Sequence, residues 1–538
     1  MKAMWLLEAV GAALLFMLLY FFPLILPFNL ALYHHRLPMT SIGGGLLLDL
    51  LFVFVLGVLT IAATSRLPDR PRRFAAALLT VFIFWRAANL LFELVKIAHS
   101  NLVTTEIPRA SDFGLIVFGL WHAWGRTITA GLLLVLLSLA IFRPDHSRAI
   151  TRAVRLALAG FAFCALWVLP QLIYATFASH PRALASMRTD SHFKDRVVWI
   201  LFDELSYDVL FDHRPTGLSF PNFDALRATS YSFGDVQPVG FFTERIIPSL
   251  LAGQPMDKIR SGRDGNLSYF DDTQQRWIAY DPSKSLFGVA QSNGWNPGVD
   301  GWYNPYCRVF SAVLSACQWR PGIDVELPFE TKGASENNSA MANALVIPLS
   351  IIARFSGHPA DDQNESLKRN IQDYNTVMKR GTDLIRNDQV HFVFIHVPAP
   401  HPPGMYNRAT HELSESGDYL DNMVLADDSL RSLMHEIDSS QDANRTTIVV
   451  SSDHSWRVPI WKLGSGWTDE EQRVSQGNFD PRPVLLIHFP GQNSADDVPS
   501  PLSELAEHDI VMAMLGRKIS SPENLDAFLR SSTQRQGD

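Results

Sequence analysis

Residues 196–208 read RVVWILFDELSYD. The short apolar run Val197–Phe202 predicts a strand buried on both faces, and it runs straight into two carboxylates, Asp203 and Glu204. In open parallel sheets, active residues gather just beyond the carboxyl ends of the strands, so this ending directs the search. Further strands are predicted at His391–Val397, Thr446–Ser451 and Val484–Phe489. Between them, Tyr419 to Ile437 reads as an amphipathic helix with Leu420, Met423, Val424, Leu430, Leu433 and Ile437 on its apolar side. Short strands alternating with helical or loop segments from Asp195 to about Gly516 predict an α/β domain with a mostly parallel central sheet.

Two more strand ends carry suggestive chemistry. TTIVVSS leads into Asp453 and His454, and HFVFIHV leads through Pro398 to His401. Carboxylates and imidazoles ending separate strands of one sheet suit a divalent metal with oxygen and nitrogen ligands. Taken singly, each is an ordinary strand-ending turn residue. GFFTERIIPSLLAG, residues 240–253, adds Thr243 at the start of a helix-like segment. Read alone it is a helix cap. Beside a metal it is a nucleophile, because free backbone N–H groups at a helix start favour a phosphate and metal coordination lowers a hydroxyl pKa. His396 and His488 lie inside strands and read as core or edge residues, with extra ligation as the alternative.

The first 180 residues differ in kind. Five apolar stretches reach or approach the roughly 20 residues that span a bilayer: Trp5 to about Leu30, Gly43–Thr64, Phe74–Val95, about Thr127–Phe142 and Val154–Phe177. The fourth is the shortest and is expected to begin as an interfacial segment around His122. The second loop carries Arg66, Arg70, Arg72 and Arg73, and the fourth carries Arg143, Arg148, Arg152 and Arg155. Basic loops stay cytoplasmic. The reading is therefore a multi-pass protein of the cytoplasmic (inner) membrane, its amino terminus cytoplasmic and everything after His180 periplasmic or extracellular. Arg86 and Glu93, on one face of the third span, read either as a pair linking helices or as a contact to a lipid headgroup.

The expected organisation is a transmembrane bundle of about five helices (1–180), a linker (181–195), a catalytic domain (196–520) and a polar tail (521–538). With a net charge of −8 the chain lacks the basic surface that would neutralise nucleic-acid phosphates, so nucleic-acid binding is not expected. Cys164 reads as a small buried residue. Cys307 and Cys317, ten apart in the outer part, read as a local disulfide.

With these pieces in order, the stretch from Arg196 to Gly516 resembles the alkaline phosphatase superfamily and its sulfatases. DELSYD resembles the opening D-D-L-x-Y-x-D of sulfatases, PNFDAL their P-N-L-D-x-L, SSDHSWR their S-D-H-G, and PHPP around His401 their substrate-side histidine motif. DYLDNMVLADDSLRSLM resembles the helix before the S-D-H strand. Counting back ten residues from Gly253 places Thr243 at the nucleophile position, as in the phosphotransferase branch that includes lipoteichoic acid synthases and phosphoethanolamine or phosphoglycerol transferases. Five helices before such a domain match that layout.

The resemblance implies one divalent ion, zinc or manganese ahead of magnesium or calcium, held by Asp203, Glu204, Thr243, Asp453 and His454. It places His401 and Arg245 on the substrate. TERII lacks the Cys or Ser pattern needed to make formylglycine, which disfavours sulfate ester hydrolysis by the usual route. The function implied is transfer of a phospho-headgroup from a membrane phospholipid to an envelope glycan or lipid. The alternatives are a phosphodiesterase, phosphatase or sulfatase-like hydrolase, or a non-catalytic partner in envelope polysaccharide assembly. Oligomeric state is open.

Overall fold

The computed structural model describes residues 2–25, 39–103, 127–128, 130–139, 141–177, 183–188, 195–261, 266–321, 362–463, 466–498 and 501–536. The chain divides into two compact units, one drawn chiefly from residues before His180 and the other from most of the remainder.

The first unit is helical: α1 (Lys2–Ile25), α2 (Met39–Ser65), α3 (Asp69–Val103), α4 (Ala130–Leu139), α5 (Pro144–Phe161) and α6 (Ala165–Phe177). α5 and α6 are joined by a single 3₁₀ turn, Ala162–Cys164, so the helix runs on from the arginine-bearing start of α5 into an apolar second half. All five apolar stretches fall on helix wherever the chain is described. Two of the helices, Ile42–Ser65 and Pro144–Phe177, are long and apolar enough to cross a membrane. The interfacial start expected around His122 lies outside the described residues, as does the side chain of Glu93.

Close helix approach depends on small residues. A Cβ on Gly11 would stand 1.8 Å from the Leu158 carbonyl oxygen, so α1 and α5 touch at that level only because no side chain intervenes. Glu8, one turn earlier on α1, accepts from Arg155 Nε of α5 at 2.9 Å. Arg86 of α3 donates to the Phe16 carbonyl and lies 5.8 Å over the Phe16 ring. Arg86 therefore ties α3 to α1, the helix-linking alternative.

The second unit is built on eight strands: β1 (Arg196–Asp203), β2 (Tyr231–Phe233), β3 (Pro297–Trp302), β4 (Ala316–Arg320), β5 (Phe392–Pro400), β6 (Thr446–Ser452), β7 (Leu485–His488) and β8 (Asp496–Val498). Their spatial order is β8-β2-β7-β6-β1-β5-β3-β4. Only β7 runs against its neighbours, so the sheet is mostly parallel. β1 is central and buried along its whole length. Val198, Ile200 and Phe202 pack into one core with Met423, Leu430 and Leu433 of the helix Tyr419–Asp438. On the opposite face, as the two-residue strand period requires, Trp199 meets the Phe394 ring edge at 5.0 Å, and Phe394 in turn meets Phe287.

Two segments sit differently from the sequence expectation. Within the expected linker, Ala185 N–H donates to the Leu314 carbonyl (2.9 Å) and Arg188 N–H to Asn296 Oδ1 (3.0 Å), so this stretch is a strap on the domain. The polar stretch after residue 520 forms the helix Pro522–Gln536, which buries Leu525. Cys307 and Cys317 are bonded, with Cα atoms 5.5 Å apart, and Cys164 is a free thiol.

Candidate functional site

β1 and β6 pair in register from Arg196 opposite Thr446 to Phe202 opposite Ser452. Asp203 and Asp453, each the next residue, therefore leave the sheet at one level. His454 follows directly, and its Nε2 lies 3.7 Å from Asp203 Oδ1 and 3.3 Å from Asp453 Oδ2. His454 Nδ1 meets the Ser455 carbonyl at 3.0 Å, which makes Nδ1 the protonated nitrogen and leaves Nε2 with its lone pair facing the carboxylates.

Thr243 joins them from another element. It opens the helix Thr243–Ala252, which ends at Gly253 in the left-handed conformation (φ 70°). Its Oγ1 donates to His454 Nε2 at 3.1 Å, and its carbonyl accepts from Asn304 Nδ2 at 3.4 Å. Asp203, Asp453 and His454 offer ligand atoms that lie within 4.8 Å of one another. Asp203 Oδ1 and Oδ2 and Asp453 Oδ2 are buried without a hydrogen-bond partner. Burial pushes the Asp203 carboxyl up, and burial together with the Asp203 charge does the same to Asp453. Unmatched acceptors at this depth are costly. A divalent cation removes that cost, so the donor set fits a metal.

Glu204, which with Asp203 and His401 makes a second group of ligand atoms within 4.8 Å of one another, is held differently from its neighbour. It takes φ 71°, a left-handed conformation uncommon outside glycine. Three contacts hold it there: its N–H donates to Asp453 Oδ1 (3.0 Å), its carbonyl accepts from Tyr419 OH (2.9 Å), and its carboxylate is bound from outside. Arg457 donates to that carboxylate through its backbone N–H (2.7 Å), Nε (3.2 Å) and Nη2 (3.2 Å), and Trp461 through Nε1 (2.6 Å). Burial alone would raise the Glu204 carboxyl, but Arg457 above all, then His401 and His454, hold it down to about 2. Of the two adjacent acids, Asp203 is thus the one with oxygens to spare, and Glu204 is engaged as the anion of a buried ion pair.

His401 stands at the edge of the cluster, its Nε2 3.8 Å from Glu204 Oε2 and its ring between Trp302 (5.2 Å) and Trp461 (5.3 Å). Arg245 sits two residues after Thr243 with its guanidinium 5.4 Å over the Phe242 ring. It belongs to the same helix start but is turned onto the aromatic residue before it. His488 bonds the Thr229 carbonyl at 2.7 Å, away from this cluster, as a strand residue would.

His396 is the buried strand residue that the sequence implied, and it also reaches the cluster. It is fully buried on β5, and its Nε2 lies 3.5 Å from Asp203 Oδ2 with no hydrogen-bond partner. Tyr306 OH meets its Nδ1 at 2.9 Å and fixes the ring. Burial lowers its pKa to about 4, so the imidazole is neutral. β5 pairs His396 opposite Leu201, and the register then shifts so that Asp203 lies opposite Pro400; this neighbourhood comes from strand pairing, which the sequence does not display. Trp302 and Asn304 gave no signal either, because β3 reads PGVDGW and does not look like a strand.

The family-like segments also brace one another. Asp427, on the helix Tyr419–Asp438, accepts from Phe223 N–H (2.9 Å) and from Asn222 Nδ2 (2.6 Å) at the start of the helix Pro221–Arg227.

Among solved structures, the chain is similar to Ps i-CgsB in complex with k-i-k-neocarrahexaose (15% identity, 62% of this chain and 74% of that one, TM-score 0.39). It is similar also to a protein in the alkaline phosphatase superfamily from Vibrio parahaemolyticus (14%, 61% and 68%, 0.35) and to the phosphonate monoester hydrolase of Agrobacterium radiobacter (15%, 60% and 74%, 0.35). No curated protein matches the chain. The sulfatase family model, however, matches residues 195–515, which takes in every residue of the cluster. The chain is a sulfatase-like enzyme and belongs to the sulfatase family.

Proposed function

We propose that this enzyme transfers a phospho-headgroup from a phospholipid donor to an envelope glycan or lipid acceptor through a covalent Thr243 intermediate. The observation that carries the reading is Thr243 Oγ1 at a helix start, 3.1 Å from His454 Nε2 and beside two carboxylates with unmatched oxygens. A threonine cannot become formylglycine, and that turns the chemistry from sulfate towards phosphate esters. The apolar helices of the first unit supply a membrane setting for a lipid donor.

In this reading Asp203, Asp453 and His454, with Thr243 itself, hold one divalent ion, and His396 stands beside them. When bound, the ion lowers the pKa of the Thr243 hydroxyl and neutralises charge on the phosphoryl group. Thr243 Oγ1, its proton released to solvent, attacks phosphorus, and the bond to the donor's alcohol oxygen breaks. His401 gives that leaving oxygen a proton. The dipole at the start of the Thr243 helix favours the charge on the phosphoryl oxygens. An acceptor hydroxyl then attacks the phospho-Thr, forming the product ester and restoring Thr243. Water in place of the acceptor makes the same site a hydrolase.

Intact mass measurement after incubation with defined phospholipids tests the proposal. The expected result is a headgroup-mass adduct mapping to Thr243, absent in Thr243→Ala. If the Ala variant turns over diesters as fast as the parent, Thr243 is not the nucleophile and the reading falls.

A further inference from the structure

The first unit contains a cavity of about 1170 Å³, larger than the roughly 300–1,000 Å³ typical of drug-sized ligand sites. Its wall is divided by chemistry. One part is apolar, with Met4, Trp5, Phe52, Leu56 and Ile61. Another carries Arg72, Arg73, Arg148, Arg152 and Arg155. These arginines come from the two basic loops and the helix turns beside them. Three carboxylates face the same space, Asp69, Glu8 and Asp49. Asp69 is paired with Arg72, and Glu8 with Arg155 (2.9 Å). Glu8 and Asp49 are each 2% exposed, and each keeps one buried oxygen without a hydrogen-bond partner.

An apolar pocket with a cationic rim is complementary to an amphiphile with an anionic head. Acyl chains match the apolar wall, and guanidinium groups match phosphate oxygens. We infer that this cavity binds one anionic glycerophospholipid, its phosphate among Arg72, Arg73, Arg148 and Arg152 and its acyl chains beside Phe52, Val53 and Leu56. Basic pockets between membrane helices take such headgroups on the cytoplasmic side. The inference rests on the reading of the first unit as a membrane bundle with its basic loops cytoplasmic. It concerns a site of its own, made wholly of first-unit residues and containing none of the residues that surround Thr243.

Native mass spectrometry of the full chain in detergent tests this, with phosphatidylglycerol, phosphatidylcholine and soluble glycerol phosphate as probes. The expected result is one retained phosphatidylglycerol, at least tenfold preference over phosphatidylcholine, and no displacement by glycerol phosphate. Arg72→Gln with Arg152→Gln removes charge and should weaken retention about tenfold or more. Thr60→Trp fills the cavity without changing charge and should weaken it comparably. Unchanged diester turnover in both variants shows that they remain folded. Equal retention of the two lipids, or no effect of either variant, overturns the inference. Displacement by glycerol phosphate also overturns it, because the site would then read phosphate alone. Recovery of the chain in the soluble fraction without detergent overturns the membrane reading itself, a distinguishable failure.

Discussion

Asp203 and Glu204 are adjacent and equally buried, yet their oxygens are engaged differently. Asp203 has both oxygens unmatched, whereas Glu204 accepts four hydrogen bonds from Arg457 and Trp461. Asp203→Asn is therefore expected to abolish stoichiometric metal uptake, read by elemental analysis of the purified chain, with little loss of stability. Glu204→Gln is expected to do the reverse. It leaves the buried Arg457 guanidinium uncompensated, which costs on the order of 3–5 kcal/mol in thermal or denaturant unfolding, while metal content stays near that of the parent. If Glu204→Gln lost its metal and kept its stability, the assignment of roles would be reversed. His396→Gln removes an imidazole 3.5 Å from Asp203 and should lower metal affinity about 10–100-fold in chelator competition.

Register is what turns these residues into a site, and it explains what could be read in advance. The Phe202–Ser452 pairing levels Asp203 with Asp453, and both strands were plain in the sequence as apolar runs ending on acids. The helix from Tyr419 was equally plain, with the 3.6-residue period that burial against a sheet requires. β3 was invisible because its glycines serve packing instead of pattern: a Cβ on Gly301 would stand 2.2 Å from the Tyr306 ring. Tyr306 in turn holds His396. Gly301→Ala should therefore cost about 1–3 kcal/mol by overpacking and also weaken metal binding, whereas a substitution of equal cost far from Tyr306 would leave the metal alone. Arg457 lay within a motif already noticed, SSDHSWR, but its partner Glu204 is 253 residues away in sequence, and spacing cannot reveal such a pair. The helix Leu505–Leu515 adds a pH dependence. Burial raises the Glu507 carboxyl to about 8, whereas an unfolded Glu titrates near 4. Between those values the folded state holds a proton that the unfolded state has released, so stability from this group is full below about pH 4 and lost as pH rises through about 8. Glu507→Gln should flatten that slope and raise stability by roughly 1–3 kcal/mol above pH 8.

At the scale of the whole chain, the proposed function depends on which side of a membrane the cluster faces. Two helices, Ile42–Ser65 and Pro144–Phe177, meet the length and hydropathy of a crossing, and the other apolar stretches are helical where described. Charge supplies the orientation. The first turns of α3 and α5 and the residues just before them carry arginines at 66, 70, 72, 73, 143 and 148, and on the proposed membrane reading these ends are the cytoplasmic ones. On that reading an odd number of crossings would put the second unit outside, a compartment in which the Cys307–Cys317 disulfide would persist. Single cysteines introduced into a Cys164→Ser background separate the possible topologies. Cysteines replacing Leu67 and His146 should react with a membrane-impermeant maleimide only after permeabilisation. A cysteine replacing the exposed Gln274, in a hairpin turn of the second unit, should react in spheroplasts without it. If all three reacted alike, the first unit would not be a membrane bundle. If the pattern were inverted, the cluster would face the cytoplasm, and neither an envelope acceptor nor an outer-leaflet donor could reach Thr243.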